Sequence, residues 1–272
     1  MQIGVFAKTF PGSEPGGVLA AVRDAGFAVT QFNLACAGLP STPDAVPDDV
    51  IRAIAAASDA SGVALVALSG TYNMAHPDNA VRDDGLRRLK VVIEAAAKLS
   101  TPLVTLCTGT RNREDQWAHH PDNADPSAWA DMAREMEKAL QLADRHGVDL
   151  GIEPEQANIV TSAQDAMQLI AEMGSKRLRI VLDPANLFEQ ADAAQARAIV
   201  AAAIETTAGH VAMAHAKDRF AHGCFATAGQ GVVDFADFIA RLKATGFDGP
   251  LVTHGLSAEE APGVAGFLKG LL

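Results

Sequence analysis

The sequence is short of the parts needed for disulfides, membrane spans or an anion-binding surface. Its three cysteines, Cys36, Cys107 and Cys224, are odd in number and far apart, with no C-x-x-C pair. That argues against a disulfide framework or a thiolate zinc site and makes a reducing cytoplasm the expected compartment. No apolar run reaches the length of a membrane span. The opening residues, Met1-Gln2-Ile3-Gly4-Val5-Phe6, lead straight into a strand-like segment without the basic flank and apolar core of a signal peptide. Positive charge is scarce, with 22 Lys and Arg against 33 Asp and Glu and a formal net charge of −11. Nucleic-acid backbones are bound by neutralising phosphates with Lys and Arg, so neither nucleic acid nor membrane is an expected partner. The acidity serves solubility. Low-complexity tracts, long linkers and composition shifts are also missing, so one domain over residues 1–272 is expected.

What the chain has instead is a repeating unit: a short apolar or β-branched run, a loop, then an amphipathic helix. Strands are predicted at 2–6, 28–33, 63–68, 102–107, 148–153, 178–183, 210–215 and 250–254. Between them stand helix signals. Asp125-Pro126 offers an N-cap with proline at the first helical position. Trp129, Met132, Met136, Leu140 and Ala143 then share one face, and Gly147 supplies a stop. Asp234 precedes a stretch in which Phe235, Phe238, Ile239 and Leu242 share a face, closed by Gly246. Ser257 and Glu260 form a capping-box pattern. Apolar residues at 49% are enough for a sizeable core.

Alternating βα units imply a parallel sheet with helices outside, either open and doubly wound or closed. The first βα turn, Lys8-Thr9-Phe10-Pro11-Gly12-Ser13, lacks the G-x-G-x-x-G that open sheets often carry there. Polar residues gather at the C-terminal ends of many strands, the last included, and a barrel brings those ends to one mouth. The expected fold class is α/β, a (β/α)8 TIM barrel.

Four strand ends carry chemistry. Ile152-Glu153-Pro154-Glu155 ends the fifth run, Leu182-Asp183-Pro184-Ala185-Asn186 the sixth, Ala214-His215-Ala216-Lys217-Asp218-Arg219 the seventh and Thr253-His254-Gly255 the eighth. A carboxylate ending an apolar strand is costly when buried alone. In a barrel Glu153, Asp183, His215 and His254 converge, and mixed carboxylate and imidazole donors suit Mn²⁺, Zn²⁺, Co²⁺ or Fe²⁺.

On these residues the sequence resembles the xylose isomerase-like TIM barrels, the sugar phosphate isomerase/epimerase superfamily that also contains endonuclease IV. The resemblance covers nearly the whole chain. It is carried by Glu153 at strand five, by Asp183-Pro184-Ala185-Asn186 in place of D-x-x-H, by the H-x-K-D segment His215-Ala216-Lys217-Asp218, and by the G-x-G-x-x-D-F segment Gly229-Gln230-Gly231-Val232-Val233-Asp234-Phe235. It implies one divalent metal ion, manganese first, with Zn, Co, Fe or Mg as other choices, held by Glu153, Asp183, His215 and His254. It also implies proton transfer beside a metal-bound sugar carbonyl.

The chain departs from the family pattern twice. His254 stands where a second glutamate is usual, and Asn186 where a histidine is usual. Glu155, two residues beyond Glu153 and so facing the same way on an extended chain, offers compensation. The expected acid/base groups are Glu153, Glu155 and His254. Expected substrate contacts are Asn33, His76, Trp117, Asn186, Lys217 and Arg219, the last two facing an anionic group or pairing with Asp218 and other rim acids. The leading expectation is a sugar or sugar phosphate isomerase or epimerase. A lyase or dehydratase on a keto-sugar or keto-cyclitol and a non-catalytic sugar-binding barrel are the alternatives. An abasic-site endonuclease fits poorly, for want of ligands and of positive charge. Pairing into a homo-oligomer is left open.

Overall fold

The computed structural model describes residues 1–272. Eight parallel strands close into a barrel: β1 (Gln2–Phe6), β2 (Val29–Phe32), β3 (Ala64–Ser69), β4 (Leu103–Leu106), β5 (Asp149–Ile152), β6 (Leu178–Leu182), β7 (Val211–Ala216) and β10 (Pro250–Thr253). The circuit closes where β10 pairs in parallel with β1, Gln2 beside Pro250 and Val5 beside Thr253. A two-stranded antiparallel ribbon, β8 (Asp218–Arg219) and β9 (Phe225–Ala226), rises from the end of β7. Helices α1 (Pro15–Asp24), α2 (Asp48–Ser61), α3 (Asn79–Lys98), α4 (Pro126–His146), α5 (Ala163–Met173), α6 (Ala193–Thr206), α7 (Phe235–Ala244) and α8 (Ala261–Lys269) follow the barrel strands in turn. No helix is long and apolar enough to cross a membrane.

The helix punctuation acts as the residue types require. Asp125 accepts from the Ser127 amide ahead of Pro126, and α4 stops at Gly147 with φ 68°. Met132, Met136, Leu140 and Ala143 are buried along its inner face. Asp234 caps α7 through the Asp237 amide, and Phe235, Phe238, Ile239 and Leu242 are buried beneath it. The Ser257–Glu260 pair forms its two reciprocal bonds at 2.8 and 3.3 Å. They close a turn rather than the first turn of a helix, because α8 begins only at Ala261.

Two apolar bodies fill the structure. A 65-residue core occupies the layer between sheet and helices. Separately, Ala67, Leu103, Val181, Met213 and Val252 from β3, β4, β6, β7 and β10 form a cluster of their own, the plug inside the barrel. Gly151 of β5 leaves room for it, since a Cβ there would meet Val181 Cγ2 at 2.8 Å. Side chains alternate along a strand. Two residues beyond each plug residue, toward the C-terminal end, therefore come Ser69, Thr105, Asp183, His215 and His254, and two beyond Gly151 comes Glu153. A polar layer on an apolar plug is what sets the mouth.

Candidate metal centre

The first group at the mouth is the quartet at the ends of β5, β6, β7 and β10. One donor atom each from Glu153, Asp183, His215 and His254 lies within 4.8 Å of all the others. His215 Nδ1 is 3.3 Å from Glu153 Oε1 and 3.8 Å from Asp183 Oδ2. His254 Nε2 is 2.9 Å from Asp183 Oδ2. The imidazole rings lie 4.4 Å apart, tilted by 57°. Two ligands side by side on a small divalent ion at about 2.1 Å are themselves about 3 Å apart, so the observed separations suit a shared cation.

Three of the four donors are braced from behind. Asp183 uses Oδ1 to accept from the Ala185 amide at 2.9 Å, capping the short turn Pro184–Asn186 and leaving Oδ2 for the centre. Glu153 Oε1 accepts from Asn186 Nδ2 at 2.6 Å, and Asn186 Oδ1 accepts from Lys217 Nζ at 3.1 Å. The outer nitrogen of His215, Nε2, meets Gln31 Oε1 at 3.0 Å, and Gln31 Nε2 donates to Ser69 Oγ and Thr105 Oγ1 at 3.2 and 3.1 Å. A histidine that donates its far N–H in this way presents its other nitrogen as a lone pair, the arrangement metal-binding histidines use.

The charges are tightly coupled. Asp183 is fully buried, which alone would raise its pKa. The His254 hydrogen bond and the nearby Lys217 and His215 charges outweigh burial and hold it below the carboxylate range. For His215 burial works downward, but Glu153 and Asp183 carry the net shift upward. His254 is lowered by burial and then by His215. Two imidazoles packed beside two carboxylates form a set that a divalent cation enters readily, since it needs deprotonated donors. The donor set fits such an ion.

Beside the quartet, Glu155 lines the same cavity, although it lies past the end of β5. Its side chain accepts from Asn158 Nδ2 at 3.2 Å. Burial, then the charge of Glu153, push its carboxyl up to about 7. The cavity encloses about 590 Å³. Asn33 lines it while capping the Leu34–Ala37 turn through the Ala35 amide at 3.0 Å. Trp117, Asn186 and Lys217 line it as well. Lys217 is 9% exposed, sits 3.4 Å from the centre of the Phe225 ring and has no carboxylate within 4.0 Å.

Two expected substrate contacts lie elsewhere. His76 does not line the cavity. Its Nδ1 accepts from the Asp78 amide at 3.1 Å and its Nε2 approaches the Arg113 carbonyl at 3.4 Å, so the ring ties two loops together. Arg219 spends its guanidinium on the carbonyls of Ala185, Glu189 and Gly223 at 2.8, 3.2 and 3.0 Å. Nor does Asp218 pair with Lys217 or Arg219. It is buried, and it gathers the amides of Arg219, Gly229, Gly231 and Val233 at 2.8, 3.1, 2.7 and 3.0 Å. That links the H-x-K-D and G-x-G-x-x-D-F segments physically. A Cβ at Gly231 would lie 2.3 Å from the Arg219 carbonyl, so the second glycine is a requirement of the loop. The residues missed from sequence are Gln31 and Phe225. Gln31 carried a usable signal, a lone amide inside an apolar strand two residues before Asn33. Phe225 carried none.

No curated protein matches the chain by sequence. Among solved structures it is similar to 3-keto-D-glucoside 4-epimerase from E. coli, at 17% identity and a TM-score of 0.78 over 99% of both chains. It is similar to D-allulose 3-epimerase from Methylomonas sp., at 17% identity and 0.78 over 100% of this chain and 98% of that one. L-ribulose 3-epimerase follows at 21% and 0.77, over 99% and 92%. The model of the xylose isomerase-like TIM barrel family matches residues 19–271, and with that match over the closed barrel and its strand-end quartet, the chain belongs to the xylose isomerase-like TIM barrel family.

Proposed function

We propose that this protein is a divalent-metal-dependent isomerase or epimerase of small sugars or sugar phosphates, with manganese as the first-choice ion and the cytoplasm as its compartment. The observation that carries the reading is the convergence of Glu153, Asp183, His215 and His254 with Glu155 on the wall of the same cavity. The names of the similar structures, all epimerases of keto-sugars, agree with it.

When bound, the ion would polarise a sugar carbonyl and acidify the neighbouring C–H. The chain's own groups then divide the work. Glu153, Asp183, His215 and His254 supply donors, and Asn186 and Gln31 hold two of them in place. Glu155, pushed up to about 7, is matched to accept and return a proton near neutral pH. Asn33 and Lys217 offer hydrogen-bond donors to substrate oxygens, and Trp117 walls the pocket. The test is turnover of ketoses in D₂O. Deuterium should enter at the carbon next to the carbonyl, and Glu155→Gln should abolish this while retaining the metal. A metal-loaded protein that labels no ketose sinks the reading.

One observation favours a second reading. Glu153 and Glu155 both come from the end of β5, whereas β10, three places round the barrel, presents His254 with its Nε2 on Asp183. Acid/base groups on one face suit elimination, which needs no proton delivered from the other side. A lyase would release an unsaturated product with new near-ultraviolet absorbance and no epimer.

A further inference from the structure

We propose that the mouth contains a second subsite, built on Trp117, for the group a glycoside carries beyond its reacting sugar. This rests on the keto-sugar reading above and narrows its substrate class to glycosides with a ketone in the ring.

Space is the first argument. A cavity of about 590 Å³ lies in the range of about 300–1,000 Å³ that takes drug-sized ligands. One sugar ring resting on Glu153 and His215 leaves much of it unfilled.

Trp117 is the second. It is 53% exposed in a chain with two tryptophans. The other, Trp129, packs on the core and donates its indole N–H to Glu172 at 2.8 Å. The Trp117 indole N–H has no partner in the protein, yet its loop is braced. The Trp117 amide donates to Asp115 at 2.9 Å and Thr110 Oγ1 to the Ala118 carbonyl at 2.9 Å. Asn123 Oδ1 accepts from the Arg111 amide at 2.7 Å, and Asn123 Nδ2 donates to the Ala157 carbonyl at 3.0 Å, pinning the β4 loop to the β5 loop. An indole held open to water by a braced loop is a ready stacking platform for the apolar face of a ring, with its N–H free for a hydroxyl. Gln116 lines the cavity beside it.

Position is the third. The loop follows β4, which pairs with β5, the strand that ends in Glu153. The platform therefore stands at the rim on the side of the two carboxylates, where an outer ring would lie when the inner one reaches the centre. The chemistry then constrains the inner ring. An anomeric carbon tied into a glycosidic bond cannot open to a free carbonyl, so the carbonyl that acidifies a C–H must be a ring ketone.

The experiment uses metal-loaded Trp129→Phe protein, which leaves Trp117 as the sole indole. Methyl and phenyl 3-keto-D-glucosides are titrated against free D-allulose and L-ribulose, reading both emission and deuterium exchange. The expected result is a Trp117 emission shift with the glucosides only, larger for phenyl than for methyl. Trp117→Ala should weaken glucoside binding by about tenfold, a far larger loss than for the free ketoses, with metal content unchanged. Equal responses to glucosides and free ketoses, or a Trp117→Ala loss of equal size in both, overturn the subsite. Exchange with free ketoses but no glucoside preference removes the subsite alone, whereas exchange with neither class removes it together with the keto-sugar reading.

Discussion

Replacing Gln31 with leucine tests whether the metal centre depends on its bracing. The side chains are close in size, so the barrel interior keeps its packing. Ser69 and Thr105, which lose the Gln31 amide, both line the cavity and can turn to water. His215 cannot, because it is buried and its Nε2 faces Gln31 at 3.0 Å. A buried donor left without an acceptor costs about 1–3 kcal/mol, and loss of the group that orients a metal-binding histidine typically lowers affinity by about 10–100-fold. The two figures agree, since a factor of 10–100 corresponds to roughly 1.4–2.7 kcal/mol. Metal-stripped protein, titrated with Zn²⁺ or Mn²⁺ against a fluorescent chelator, should show that loss, with the stripped form still folded and its melting temperature lowered by a few degrees. Gln31→Glu, which offers a charged acceptor, should recover the affinity or exceed it. A Gln31→Leu constant within twofold of wild type, in a folded protein, would refute the bracing argument.

Other perturbations probe separate parts of the site. His254→Glu adds a hard, charged oxygen donor in place of an imidazole and should shift the ratio of Mn²⁺ to Zn²⁺ affinity toward manganese, read by competition titration. In metal-stripped protein, Glu155 holds its proton up to about pH 7 when folded but releases it near its ordinary, lower pKa when unfolded. The folded state thus binds more protons in that window, and this residue makes stability fall as pH rises toward 7. Melting curves across pH should show that slope reduced in Glu155→Gln, and an identical slope in both proteins would contradict the assignment. Asp218→Ala strips the shared acceptor from the amides of Arg219, Gly229, Gly231 and Val233. At about 3 kcal/mol it should lower the melting temperature by roughly 6–12 °C, measured calorimetrically.

The barrel was legible because its signal is redundant. Eight apolar runs, each followed by a helix with its own cap, admit few arrangements, and strand ends fall within a residue or two of expectation. At one boundary the cause is a side chain: β6 ends at Leu182 rather than 183 because Asp183 leaves the sheet to cap the next turn. The quartet was legible for a related reason. Strand ends in a barrel are fixed in space by topology, so residue type at a strand end nearly fixes location. Loop residues carry no such constraint. Arg219 looked like a rim cation, but β8 and β9 fold it back onto three carbonyls. His76 looked like a mouth histidine, but it faces its own loop and that of Arg113. Gln31 is hard to single out because the six-residue run 28–33 reads as strand throughout, and the inward face of a buried strand is not marked by alternation.

All four donors of the centre lie at residues 153 to 254, and the last directly follows the strand that closes the circle against β1. His254 reaches past β7 to Asp183, just beyond the end of β6. A cation gripped there would tie the closing strand back to β5, β6 and β7, so that peeling away the C-terminal strand and letting the ion go would become one event. Occupancy would then govern how often that strand peels away. Cleavage by a protease in the last βα unit becomes a clock for ion release, slow in metal-saturated protein and fast under chelation, even in a variant that turns over nothing.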